Sequence, residues 1–142
     1  MTAVYQRTYT VEQDDYASAG LVSSLIKESL RYMGIPPTVV RRVAVATYEA
    51  EINMIIHAYG GVITLEVGDD GTIHLVAKDN GPGIPDIEKA LTPGFSTANK
   101  KAMELGFGAG MGLPNIKRNA DVFHIESSTD GTILDLLFKE KS

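Results

Sequence analysis

Residues 79–85, DNGPGIP, directly follow a run of alternating apolar residues at 73–77. That alternation is typical of a half-buried β-strand. An ionised Asp only accepts hydrogen bonds, so Asp79 matches the exocyclic amino group of adenine and opposes the carbonyl that guanine carries there. Gly81 and Gly83 let the backbone approach a flat base where a side chain would clash. The alternative is a glycine- and proline-rich turn that merely closes the strand.

A second glycine-rich run, GFGAGMGLPNIK, occupies residues 106–117. Alternate glycines permit positive φ, so successive N–H groups can converge on an anion. Pro114 suits the first turn of a helix, whose N-terminus is itself an anion site. By itself such a run is weak evidence, and it matches neither a Walker A loop nor a dinucleotide-binding fingerprint.

The segment between the two runs predicts a lid. Seven of the 14 glycines lie within residues 80–112, and about 93–112 shows no pattern of regular structure. Loops of about 20 residues inside a compact domain are usually functional lids or disordered segments. The concentration of glycines favours the lid.

Upstream, Glu49, Asn53 and His57 recur every four residues in a segment predicted to be helical from Thr38 to Ala58. This spacing places the three polar groups on one helix face. An Asn oxygen suits Mg²⁺, which shares phosphate oxygens and water, and Glu49 could orient or deprotonate a nucleophile. An exposed polar stripe is the alternative.

The remaining elements follow from hydrophobic periodicity and from glycine and proline breaks. They are strands at 4–11, 63–67 and 73–77, helices at 16–33, 38–58, 86–91 and 113–120, and a final hairpin at 122–127 and 132–138. Thr38 is expected to cap the second helix. This order predicts an α+β fold, a two-layer sandwich with a mixed, mostly antiparallel sheet and helices on one face.

Composition narrows the class of protein. The chain has 142 residues, 44% of them hydrophobic, and residues 1–142 are predicted to form a single domain. The absence of Cys removes disulfides and thiolate metal sites. A net charge of −5 disfavours nucleic acid as a partner. With no apolar run near the ~20 residues that span a bilayer and no signal-peptide pattern, we expect a cytoplasmic protein without membrane contact.

Taken in order, these motifs resemble the N box, G1 box and G2 box of the GHKL (Bergerat-fold) ATPase superfamily. A late Gly131-Thr132 pair resembles the strand motif that supports the adenine-binding Asp, and residues 94–97 resemble the segment before the lid. The matching motif residues are Glu49, Asn53 and His57, then Asp79, Gly81 and Gly83, then Gly108, Gly110, Gly112 and Leu113.

The resemblance implies ATP and Mg²⁺ as ligands. It assigns Glu49 as general base, Asn53 as the Mg²⁺ ligand and Asp79 as the adenine reader. The amides of residues 108–112 would hold the phosphates, which fits a reaction that needs positioning and charge neutralisation. Lys117 is included among the nucleotide-binding residues, with a solvated surface charge as the alternative.

Within the superfamily, residues 79–86, 94–97 and 112–118 look like the bacterial anti-sigma-factor serine kinases, especially the switch kinases of stressosome-type partner-switching modules. This implies an ATP-dependent serine/threonine kinase whose substrate is a STAS-domain protein, either an anti-sigma antagonist or a stressosome protein. Two departures stand out: Tyr48 lies where those kinases often carry Ser, and Glu51 is expected to add a second acid near the site.

Two other functions remain open. One is a nucleotide-gated binding module that sequesters a sigma factor or activates a phosphatase without kinase activity. The other is a stand-alone histidine-kinase catalytic domain, which the lack of a visible phosphoacceptor helix disfavours. Glu49 favours the kinase, because binding alone needs no base. A homodimer is compatible with the sequence.

Overall fold

The computed structural model describes residues 2–57, 60–84, 86–92 and 112–140. Its strands are β1 (Ala3–Val11), β2 (Gly61–Gly68), β3 (Ile73–Asp79), β4 (Val122–Ser128) and β5 (Gly131–Phe138). Its helices are α1 (Leu21–Tyr32), α2 (Pro37–His57), α3 (Ile87–Ala90) and α4 (Gly112–Asn119). Except for Gly112, the predicted lid at about 93–112 lies outside the described residues.

The five strands form one sheet in the order β1-β2-β3-β5-β4. All four neighbouring pairs are antiparallel. The predicted α+β class is therefore confirmed. The sheet, predicted to be mixed and mostly antiparallel, is antiparallel throughout the described strands. Two hairpins, β2–β3 and β4–β5, meet where β3 pairs with β5. Asp79, at the end of β3, and Thr132, near the start of β5, lie at this junction.

The core lies between one face of the sheet and the helices. Alternate residues of the central strands are buried, as the period-2 pattern predicts. Helix α2 runs between α1 and α4 and packs against both. The fully buried side chains include Leu65, Leu75, Leu136 and Phe138 of the sheet and Ile26, Leu30, Ile55 and Ile116 of the helices.

Two predicted helix starts are wrong. The first helix begins at Leu21 rather than at residue 16, because Gly20, at φ +92°, separates it from a single 3-10 turn at Tyr16–Ser18. The second begins at Pro37, so Thr38 lies inside the first turn instead of capping it. Proline is favoured at that first position because its missing N–H would be unpaired there in any case.

Arg42 holds the far end of α4 in place. Its guanidinium donates to the carbonyl oxygen of Asn119 at 3.1 Å and to the Asp121 carboxylate at 3.0 Å. It also donates to the carbonyl oxygen of Lys139 at 2.6 Å. A cation at a helix C-terminus interacts favourably with the helix dipole, so this residue fixes α4 against α2. None of the described helices is long and apolar enough to cross a membrane.

Candidate nucleotide-binding site

Asp79, the last residue of β3, is held by two backbone donors. The N–H groups of Gly81 and Thr132 both donate to its Oδ1 atom, each at 3.0 Å. Oδ2 takes part in neither bond and remains an acceptor. The half-buried carboxylate is thus oriented by the loop that follows it and by the start of β5, and it offers an acceptor to a donor group such as an amino group.

Two glycines near Asp79 permit contacts that no side chain would allow. Gly131, at φ +139°, lies so close to the Asp79 carbonyl oxygen that an added Cβ would overlap it. Gly83, at φ +86°, is pressed in the same way against the carbonyl oxygen of Ser128. Gly83 of the 79–85 stretch therefore serves close backbone packing, a role that the sequence analysis did not predict.

Ser127 joins the glycine loop to β5, and the sequence analysis missed it. Its Oγ accepts the N–H of Ile84 at 2.7 Å and lies 2.8 Å from Thr132 Oγ1. Ser127 and Thr132 are directly opposite in the β4–β5 register. Since the hairpin was predicted, cross-strand pairing was the signal that could have placed Ser127 beside Thr132.

A second group of predicted residues lies on α2. Glu49 and Asn53 are half-buried and face Gly112, the first residue of α4. A Cβ added to Gly112 would lie 3.1 Å from Asn53 Oδ1 and 3.3 Å from Glu49 Oε2. The first N–H groups of a helix lack intrahelical partners and carry partial positive charge. Gly112 therefore brings an anion-binding helix end beside an amide oxygen and a carboxylate.

The electrostatics of Glu49 suit a proton acceptor. Burial raises the pKa of its carboxyl above the ordinary value, and a hydrogen bond from the Asn115 side chain opposes that rise. A base is most effective when its pKa approaches the working pH. Asn115, one turn into α4, is a further residue that the sequence analysis did not single out.

Glu51 is not at this site, which corrects the expectation of a second acid there. Its side chain is 2% exposed and accepts hydrogen bonds from the N–H groups of Gly20, Val22 and Ser23 at 3.2–3.3 Å. Two residues along a helix correspond to about 200° of rotation, so Glu51 points to the opposite flank of α2 from Glu49. Burial raises its pKa, and these backbone bonds partly offset the effect.

The remaining predicted residues separate into core, surface and undescribed positions. Leu113 is 7% exposed and belongs to the hydrophobic core. Lys117 is exposed in the last turn of α4. Gly108, Gly110, the 94–97 segment and the side chain of His57 lie outside the described residues.

Mg²⁺ fits this site if phosphate completes its ligands. Among the residues described by the structure, no cluster of three His, Cys, Asp or Glu side chains could hold a metal ion unaided. Asn53 supplies one hard oxygen next to the N-terminus of α4, where a phosphate would bind. Mg²⁺ is commonly held by one or two protein oxygens together with substrate phosphates and water.

Residues 13–138 match the family model of the histidine kinase-like ATPase domain, and the chain belongs to this family. The matched range includes the Asp79 loop, α2 and α4.

The chain is similar in sequence to a serine/threonine-protein kinase and to an anti-sigma factor. It is 39% identical over 89 residues to the serine/threonine-protein kinase RsbT of Bacillus subtilis (strain 168), covering 61% of each chain. It is 38% identical over 87 residues to the anti-sigma F factor of Geobacillus stearothermophilus, covering 58% of this chain and 56% of the relative. The chain therefore aligns with about three fifths of the length of these relatives.

Solved structures share the fold. The RsbU and RsbW domains of Rv1364c from Mycobacterium tuberculosis superpose with a TM-score of 0.67 at 16% identity, covering 98% of this chain and 34% of that one. The SiaB-SiaC complex from Pseudomonas aeruginosa gives 0.56 at 12% identity, covering 92% and 88%. At such identities the likeness concerns the fold.

Proposed function

We propose that this protein binds Mg²⁺–ATP and acts as a serine/threonine kinase of a bacterial partner-switching module, with a STAS-domain protein as its substrate. The observation that carries the proposal is the contact of Glu49 and Asn53 with the N-terminus of α4. On this proposal, Glu49 is the base and Asn53 the metal ligand at one anion site. The two curated relatives, a serine/threonine kinase and an anti-sigma factor, support this reading.

The nucleotide would bridge the two groups of residues. Asp79, oriented by Gly81 and Thr132, accepts a hydrogen bond from the adenine amino group. The phosphates would lie at the N-terminus of α4, with Lys117 as an additional cation. The amides predicted to hold them belong to residues 108–112, of which the structure describes Gly112. Asn53 would hold Mg²⁺, which neutralises charge on the phosphate oxygens.

Glu49 would then serve the transfer step. An acceptor Ser or Thr hydroxyl forms a new bond to the γ-phosphorus while the bond to the β,γ-bridging oxygen breaks, and ADP leaves with that electron pair. Glu49 takes the hydroxyl proton. Such transfers depend mainly on positioning and charge neutralisation, and a positioned base contributes typically 10²–10⁴-fold.

A groove lined by residues of α1 and α2 includes Glu49 in its lining and would give the protein substrate a route to that residue. It has a volume of about 670 Å³ and its lining reaches from Lys27 and Arg31 on α1, past Arg41, to Tyr48 and Glu49 on α2. Three cations there contrast with the net charge of −5 of the whole chain. We assign the groove to an acidic segment of the substrate, which would present its hydroxyl beside Glu49. Tyr48 would contact that segment.

Calorimetry tests the nucleotide site first. ATP and GTP are titrated with and without Mg²⁺ into the wild type, Asp79→Asn and, as a matched control, Asp70→Asn in the β2–β3 turn. We expect Mg²⁺-dependent preference for ATP in the wild type and the control, and its loss in Asp79→Asn. An Asp79→Asn variant that bound ATP normally would contradict the assignment of the adenine reader.

Transfer from radiolabelled ATP to a purified STAS-domain protein tests the kinase. Acid-stable label on Ser or Thr is expected, whereas acid-labile label would indicate phosphohistidine. ATP binding together with tight partner binding and no transfer would favour the nucleotide-gated module over the kinase.

A further inference from the structure

Arg42 joins three parts of the fold at the C-terminal end of α4. Its guanidinium donates to the carbonyl oxygens of Asn119 and Lys139 and to the Asp121 carboxylate. Asn119 ends α4, Asp121 precedes β4 and Lys139 follows β5. The Asp121 carboxylate also accepts the N–H of Lys139 at 2.7 Å. These four residues, named the Arg42 clamp below, therefore tie α2 to the end of α4 and to the end of β5.

The bonds of the Arg42 clamp are directional and partly shielded from water. The side chains of Arg42 and Asp121 are 17% and 20% exposed. Hydrogen bonds with an ionised partner are stronger than neutral ones. Leu113 and Ile116 also anchor α4, through burial in the core, but apolar burial is non-directional. The clamp therefore adds the contacts that fix the position of α4 along its own axis.

The clamp and the proposed phosphate site lie at opposite ends of the same two helices. On α2, Arg42 and Glu49 are seven residues apart, and so are Gly112 and Asn119 on α4. Seven residues span about 10 Å and nearly two turns, so the members of each pair lie on one helix face. Because the two spans match, Gly112 lies beside Glu49 while Asn119 lies beside Arg42.

We propose that Arg42 is a positioning residue for the phosphate groups of the nucleotide. By holding the C-terminal end of α4, it sets where the first amides of that helix lie relative to Glu49 and Asn53. A slip of α4 by one residue would move Gly112 by about 1.5 Å and turn it by about 100°. Such a displacement breaks a hydrogen bond to a phosphate oxygen. This inference rests on the proposed nucleotide site and adds a residue about 10 Å from Glu49 along α2.

Positioning can be separated from a direct effect of the Arg42 charge on the phosphates. Salt screens charges over about 8–10 Å at physiological ionic strength, and a lysine would supply the same charge. A lysine does not reproduce the planar fork of donors with which Arg42 reaches three oxygen atoms. Positioning therefore predicts that Arg42→Lys behaves like Arg42→Ala, whereas a charge effect predicts that it behaves like the wild type.

The test compares Mg²⁺–ATP with adenosine, which shares the base and sugar and lacks the phosphates. Both are titrated into the wild type, Arg42→Ala, Arg42→Lys and Lys139→Ala. The last variant is the matched control, because it removes an exposed cation and keeps the backbone groups of the clamp. Both Arg42 variants should bind ATP about tenfold more weakly, as for the loss of one hydrogen bond. They should bind adenosine like the wild type, and the control should match the wild type for both ligands.

A measurement on the wild type alone makes the test independent of how the variants fold. Coupling between two sites is reciprocal, so phosphate bound at the start of α4 should strengthen the clamp at its end. The N–H of Lys139, which donates to Asp121, reports on the clamp through amide hydrogen exchange. Its exchange should be slower with Mg²⁺–ATP than with adenosine at the same fractional saturation, where both ligands stabilise the folded chain equally.

Each other outcome overturns the inference. Unchanged ATP binding in the Arg42 variants, or equal weakening of ATP and adenosine, would leave Arg42 with a role in stability alone. Wild-type ATP affinity in Arg42→Lys would show a charge effect. Equal exchange of the Lys139 N–H with the two ligands would show that the clamp and the phosphate site are uncoupled. Failure of the wild type to bind ATP would instead overturn the proposed function and this inference with it.

Discussion

The two flanks of α2 each present a carboxylate to the N-terminus of a neighbouring helix, yet they differ in what those helix ends are free to do. On the α1 flank, Glu51 accepts three backbone N–H groups and is almost fully buried. On the α4 flank, Glu49 lies against Gly112 and is hydrogen-bonded by a side chain, Asn115.

We propose that this difference separates a structural acid, Glu51, from a functional one, Glu49. The N–H groups at the start of α1 have no acceptors within the helix. Glu51 accepts their hydrogen bonds, so these groups are not available to a ligand. Glu49 instead receives a side-chain hydrogen bond from Asn115 and is half-buried. Burial raises the pKa of both carboxyls, so a raised pKa alone would not have distinguished them. The identity of the hydrogen-bond donors does.

The largest effect is expected for Glu49→Gln, on the rate of phosphoryl transfer. It keeps the shape of the side chain but removes the proton acceptor, so the rate of phosphoryl transfer should fall by about 10²–10⁴-fold. ATP affinity and melting temperature should change little. The measurement is single-turnover transfer to the STAS-domain substrate. Full activity of Glu49→Gln would show that Glu49 is not the base.

Glu51→Ala should have a smaller effect, on stability. Removing the acceptor leaves buried N–H groups at the start of α1 unpaired, at a cost of about 2 kcal/mol in the free energy of unfolding. Urea denaturation measures this cost, with Glu28→Ala on the exposed face of α1 as the control. ATP affinity of the folded variant should match the wild type. If ATP binding were lost while stability was unchanged, Glu51 would belong to the site after all.

The smallest effect is expected for Asn115→Ala. The hydrogen bond from Asn115 favours ionised Glu49 and lowers its pKa, so its loss should raise that pKa further. Since Glu49 is protonated below its pKa, the acidic limb of the pH–rate profile should move to higher pH, by less than about one unit. Asn119→Ala is the matched control, because the Asn119 side chain donates to the Asn115 carbonyl oxygen instead. If the acidic limb did not shift in Asn115→Ala, Asn115 would not control the pKa of Glu49.

Much of the architecture was predictable because it depends on short-range patterns. Alternating apolar residues located β2, β3 and β5, and the glycine turns located the hairpins. The start of α1 was missed because the predicted helix was extended back to residue 16, whereas Ala19 (ψ 126°) and Gly20 (φ +92°) both leave the helical conformation. Helical periodicity carries no signal for such a break.

The parts of the site that follow from the chemistry of a residue type could be predicted. The parts that depend on a contact between distant segments could not. The stripe of Glu49 and Asn53 and the acceptor at Asp79 followed from spacing and side-chain chemistry. Ser127 and Asn115 are ordinary polar residues until the β4–β5 register and the start of α4 bring them to Thr132 and Glu49. Glu51 was misplaced although helical periodicity alone puts it about 200° from Glu49. Its backbone partners, Gly20, Val22 and Ser23, had no signal in the sequence.

The junction between the two hairpins also has a consequence for folding. Each hairpin closes through a short turn, whereas the pairing of β3 with β5 must close the long segment between them, for instance from Ala77 to Leu134. Loop closure of that length costs chain entropy before it is compensated by contacts. Asp79 and Thr132 belong to different hairpins and meet only across this junction. A ligand that contacts both would therefore stabilise the docked hairpins and not the separate ones, coupling its binding free energy to this long-range pairing.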